Sequence, residues 1–126
     1  QSNEAKRVHD IALYIFEDKG IEVDSNVYLF DLFESDLILY VPFKSKEKSA
    51  KQIDTIINIE IDGIYSKIKK KIAFCRRKDD CLKSKGVFVS RIDATRVSDM
   101  SDKKVEKWLL RRVKDVYEQL ELSSEA

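Results

Sequence analysis

The stretch VYLFDLFESDLILYVPF, from Val27 to Phe43, constrains the fold more than any other part of the chain. Residues 27–33 and 36–42 are two runs rich in β-branched and aromatic side chains, separated by Glu34-Ser35. They predict a hairpin. Both runs are apolar at nearly every position instead of alternating. Such strands need cover on both faces, from helices or from a second sheet. Asp31 interrupts the first run, as an exposed residue of an edge strand or as an acid worth following into the fold. Pro42 cannot donate a ladder hydrogen bond, so the second strand ends there or lies at an edge.

Helical spacing of Ala5, Val8, Ala12 and Ile15 predicts a helix over 4–19, stopped by Gly20. Residues 47–71 read two ways. Apolar residues at 50, 53, 57, 61, 64 and 68 make a helical stripe, capped by Ser45 and ending in lysines that suit a helix C-terminus. The same segment alternates Ile57, Ile59 and Ile61 against Asn58, Glu60 and Asp62, and closes on Asp62-Gly63, a hairpin signal. The helix is the preferred reading. Residues 72–75 and 87–93 then read as strands joined by a basic loop. Val105, Trp108, Leu109, Val113, Val116 and Leu120 predict a last helix over about 102–121, capped by Ser101 or Asp102, with 122–126 frayed. The predicted order is α-β-β-α-β-β-α, an α+β two-layer sandwich in a single domain, 1–126, with a small mostly antiparallel sheet. Residues 1–3 read as a tag remnant.

Several function classes lose support. The three glycines, Gly20, Gly63 and Gly86, stand apart, so no clustered phosphate-cradling loop exists. His9 is the only histidine, and no G-x-S-x-G elbow accompanies a serine. Two cysteines and one remote histidine do not make a zinc site. Carboxylates pair at Asp79-Asp80, Glu60/Asp62 and Asp99/Asp102, but acid–base work needs two in one cleft with different environments. A metal-dependent nuclease would place an acid two residues before a lysine on a strand, beside a second acid. After the hairpin the run is Pro42-Phe43-Lys44, without the acid. No catalytic residue, cofactor or metal is therefore assigned, and no apolar run is long enough to span a membrane.

Charge is the remaining signal. The 24 basic and 23 acidic side chains nearly cancel. They are unevenly placed: 17–36 holds seven acids and one lysine, whereas 67–96 holds eleven bases and three acids. Two binding faces follow, a basic one of Lys69, Lys70, Lys71, Arg76, Arg77 and Lys78, and an acidic one of Asp24, Asp31, Glu34 and Asp36. The expected function is non-catalytic macromolecular binding, foremost to a protein in the manner of an adaptor or immunity module, steered by these faces. The alternative is a nucleic-acid-binding accessory domain using the basic loop 67–78. Cys75 and Cys81 are either free thiols, which suits the preferred cytoplasmic reading, or a disulfide, which would imply an extracytoplasmic domain.

Overall fold

A computed structural model describes residues 2–44, 52–63 and 68–125. The elements are α1 (Asn3–Phe16), β1 (Glu22–Leu29), β2 (Phe33–Phe43), β3 (Ile53–Asp62), α2 (Lys69–Ser84), β4 (Phe88–Asp93), α3 (Ala94–Ser98) and α4 (Asp102–Glu125). The fold is α+β. Its four strands lie in the order β1-β2-β3-β4, with β1, β2 and β3 antiparallel in turn and β4 parallel to β3.

Alternation sorts the sheet into two faces. Leu37, Leu39, Val41, Ile57, Ile59, Ile61 and Ile92 pack against Ala5, Val8, Ala12 and Phe16 of α1 and Val105, Trp108, Leu109, Val113 and Val116 of α4. Ile38 on the opposite face joins Leu29, Val87 and Leu82 of α2 in a smaller cluster. Helices thus cover both faces, as the run of buried apolar residues Leu37, Ile38 and Leu39 in β2 requires. The expected two layers become three because α2 sits across the sheet from α1 and α4.

The central part of the chain resolves against the helix reading. Residues 53–62 form β3, so the period-2 alternation wins over the helical stripe; the proposed cap at Ser45 lies outside the described residues. Isoleucine makes up five of the ten residues of this run, and β-branched side chains favour strands. The predicted strand 72–75 and basic loop form instead one helix, α2. Its Lys, Arg, Ala and Leu content suits a helix interior. It closes in a Schellman motif: Gly86 takes φ +83°, and the Val87 N–H donates to the Leu82 carbonyl at 3.0 Å. The hairpin turn also moves, from Glu34-Ser35 to Phe30-Asp31. Both have positive φ, 56° and 57°, as in a type I′ turn, and the Leu32 N–H donates to the Leu29 carbonyl.

Both terminal helices follow their patterns. Ser2 Oγ accepts from the Ala5 N–H at 3.1 Å, and Ser101 Oγ accepts from the Lys104 N–H at 3.3 Å. α4 runs to Glu125, past the expected end at 121. Arg7 of α1 ties the helical layer together. Its guanidinium donates to the Val97 carbonyl at 2.8 Å, the Met100 carbonyl at 2.7 Å and Asp102 Oδ1 at 2.7 Å. Arg7 thus adds a charged donor to the Val97 carbonyl of α3, which also accepts the Met100 N–H at 3.1 Å, and to the Met100 carbonyl just beyond that helix.

Candidate functional site

Pairing between β2 and β3 stops at Leu37 and Ile59. One step further the partners would be Asp36 and Glu60, and there the ladder gives way to side-chain chemistry. Asp36 Oδ2 accepts the Ile61 N–H at 2.9 Å, taking the place of a strand carbonyl. On the other edge of β2 the ladder with β1 also skips Asp36, opposite Asn26, whose φ is +52°. A polar notch thus opens in an otherwise apolar sheet.

Alternation aims Asn58, Glu60 and Asp62 of β3 at α2, since Ile57, Ile59 and Ile61 face the other way. Glu60 is only 6% exposed. Lys78, also 6% exposed, descends from α2 and pairs its ammonium with Glu60 Oε1. The same ammonium donates to the Glu34 carbonyl at 2.6 Å. Asn58 Nδ2 donates to Glu60 Oε1 at 3.2 Å, while Asn58 Oδ1 is buried without a hydrogen-bond partner. Burial raises the Glu60 pKa; the Lys78 bond and charge oppose that rise, and the nearby Asp36 carboxylate adds to it.

A second tier stands beside the first. Arg91 of β4 makes a two-pronged bond to Asp79 of α2, both contacts 2.7 Å, and reaches Asp62 Oδ1 at 2.7 Å. Burial works against the Arg91 charge, but Asp79 and Asp62 more than offset it and hold its pKa above the ordinary range. Burial raises the Asp62 pKa against the pull of Arg91, with Glu60 and Asp93 adding to the rise. Across both tiers four carboxylates, Asp36, Glu60, Asp62 and Asp79, face two cations, Lys78 and Arg91. Carboxyl groups thus outnumber cations by two, and a side-chain hydrogen bond between Asp36 and Glu60 adds to the rise in the Glu60 pKa. Among the described residues, no three His, Cys, Asp or Glu side chains converge as a ready-made metal cage.

The sequence-predicted faces are rearranged. Lys69, Lys70, Lys71, Arg76 and Arg77 are exposed on α2, but Lys78 is buried, because its position one turn above Leu82 points it into the sheet. Asp24, Asp31 and Glu34 are exposed, whereas Asp36 is half-buried in the notch. The two faces also adjoin: Lys78 bonds the Glu34 carbonyl, and Lys85 lies over Phe30, next to Asp31. Segregated steering poles are therefore not present at this seam. Cys75 and Cys81 are free. Six residues apart on one helix, they are separated by about 9 Å of axial rise, beyond the reach of a disulfide. Sequence reasoning noted Glu60 and Asp62 only as a carboxylate pair and Lys78 only as a surface cation.

Comparisons with known protein families, with curated proteins and with solved structures find no match for this chain.

Proposed function

We propose that the protein is a divalent-cation-dependent phosphodiesterase acting on nucleic acid. The observation that carries this reading is the notch: two carboxylates on neighbouring strands, Asp36 and Glu60, with the Lys78 ammonium bonded beside them. This is the acid–acid–lysine set sought near Pro42-Phe43-Lys44, assembled instead from β2, β3 and a helix. Mg²⁺ characteristically binds through one or two carboxylates, keeping waters and taking substrate phosphate oxygens for the rest. A cluster in which carboxyl groups outnumber cations suits one such ion. The ion would polarise the phosphoryl group and acidify a bound water. Asp36 and Glu60 would hold the ion; hydrolysis would exchange the P–O bond to the sugar for a P–O bond to the water oxygen, with a proton of that water passing to the leaving sugar oxygen. Lys78, bonded to Glu60 Oε1 and the Glu34 carbonyl, would fix the Glu60 carboxylate in position for the ion. The exposed cations of α2 supply the phosphate contacts that hold the strand.

This reading departs from the expectation of a non-catalytic domain because a lysine placed solely for solubility would not be buried against a carboxylate pair. The test is cleavage of labelled DNA and RNA with Mg²⁺ or Mn²⁺. Products should form, vanish with EDTA, and fall by about 100-fold or more in Asp36→Asn, a loss typical of removing one charge-stabilising group. The asparagine oxygen can still accept the Ile61 N–H, so this variant should stay folded. No product above the EDTA control, or undiminished cleavage by Asp36→Asn, overturns the proposal.

A second reading, protein docking, is favoured by the β1–β2 turn. There Tyr28, Phe30 and Leu32 are exposed beside Asp31 and Glu34. It predicts binding lost on Leu32→Asp and no cation-dependent cleavage; cleavage that requires Asp36 would remove it as the primary function.

A further inference from the structure

Of the 16 residues of α2, only Lys78 and Leu82 are buried. Leu82 is therefore its one fully buried apolar anchor, with the ion pairs beneath the helix, and most of its residues are exposed. Along one flank lies the β1–β2 turn. Phe33 meets Phe74 edge-on, ring centroids 6.1 Å apart. Lys71 Nζ stands 5.8 Å from the Phe74 ring centre, and Lys85 Nζ stands 5.2 Å from that of Phe30. Phe74 and Phe30 are each 45% exposed. Two part-exposed rings, Phe74 on α2 and Phe30 beside its C-cap Lys85, thus each carry an ammonium over one face.

We infer that this flank binds single-stranded nucleic acid, with unpaired bases stacking on Phe74 and Phe30 and the adjoining phosphates meeting the lysines. A duplex buries its base faces and offers only edges and phosphates, so exposed rings are of use to unpaired bases. Charge selects the same occupant. Seven exposed cations lie on α2 and its cap, Lys69, Lys70, Lys71, Arg76, Arg77, Lys83 and Lys85, against Asp80 and the turn's Asp31 and Glu34, a net of +4. An apolar protein segment would leave those cations unpaired, whereas a polyanion gains by releasing its counterions to them. The inference names the substrate class of the phosphodiesterase proposed above and rests on that reading for its purpose. Phe74 precedes Lys78 by one helical turn on the same side of α2, so a base stacked there sets its phosphate near the notch.

Binding is measured on the full chain in EDTA, where no cleavage can occur, by fluorescence anisotropy. The probes are an oligothymidylate of about 12 nucleotides, within the span of a single-strand groove, and a duplex of equal length. The single strand should bind at least about tenfold more tightly, and Phe74→Ala should weaken it by about 5- to 150-fold, the range of one lost stacking contact. Phe74→Trp should restore it. Lys71→Ala should instead weaken both probes and lower the log–log salt slope by about 0.7 for the single strand. Equal or tighter duplex binding, no binding at all, or an unchanged single-strand affinity in Phe74→Ala overturns the inference. Phe74-dependent binding without Mg²⁺-dependent cleavage would overturn the phosphodiesterase reading and leave this surface standing. Cleavage that prefers duplex would do the reverse.

Discussion

Replacing Lys78 by methionine tests the centre of the structure. Lys78 and Glu60 side chains are 7% and 8% exposed, so solvent screens their pairing little. Methionine keeps the length of the lysine stem and packs beside Leu82, but it leaves Glu60 facing Asp36 without a cation. Removing one partner of a buried pair costs about 3–5 kcal/mol. For a domain of this size that lowers the melting temperature by roughly 10–20 °C. The loss should depend on pH in a defined sense. Burial already raises the Glu60 pKa above its ordinary value despite Lys78, and without Lys78 the folded-state value rises further. A carboxyl with a raised folded-state pKa favours the folded state while it is protonated. The penalty is therefore absent below the ordinary glutamate range, near pH 4, and complete once pH exceeds the raised value. Thermal melts of wild type and Lys78→Met across pH 4 to 8 should converge in acid and diverge towards neutrality. The double variant Glu60→Gln/Lys78→Met should be more stable than the sum of the single losses predicts, by about 2 kcal/mol or more. A Lys78→Met loss that is the same at every pH, or strictly additive single losses, would refute the buried-pair account.

Three further outcomes follow from the same geometry. Arg7→Ala should lose about 2–3 kcal/mol in urea unfolding, because it strips charged donors from two carbonyls, whereas Asp102→Asn should lose less than about 1, since Asp102 is 76% exposed. Arg91→Ala leaves Asp62 and Asp79 facing each other beside the notch. Burial already raises the Asp62 pKa, so the urea midpoint of this variant should fall most above neutral pH and recover as pH drops below about 4. Alkylation under non-reducing, denaturing conditions should label both Cys75 and Cys81, and reductant should leave the melting temperature unchanged; a mass two hydrogens lower would contradict the helix that separates them.

The two end helices were legible because each carries a single apolar stripe at helical period; the last also showed its hydroxyl cap, whereas the Ser2 cap of the first was hidden in residues read as a tag remnant. The stripe beginning at Val105 faces the sheet, and Ser101 accepts from Lys104. The hairpin was legible for a different reason: only strands covered on both faces can hold Leu37, Ile38 and Leu39 buried in succession. Its turn was misplaced because Glu34-Ser35 looks like a polar break, while the turn is made by Phe30, a bulky residue rarely found at positive φ. Residues 53–62 were ambiguous in principle. Isoleucines at 53, 57 and 61 satisfy a helical period, and those at 57, 59 and 61 satisfy a strand period. Local propensity could not choose between them, and pairing with β2 and β4 did.

What the amino-acid order alone determined is the α+β class, the apolar hairpin that must be covered on both faces, and the two amphipathic helices. Those follow from local periodicity and residue type, which act over one or two turns of chain. Tertiary structure alone decided that α2 crosses to the second face of the sheet. It thereby turned a cation of a basic run into the buried partner of Glu60, 18 residues away. It also decided that Asp36 leaves the acidic surface for the notch. The reason is physical: a charge declares its role through its desolvation and its partner, and both are fixed only when distant segments pack together.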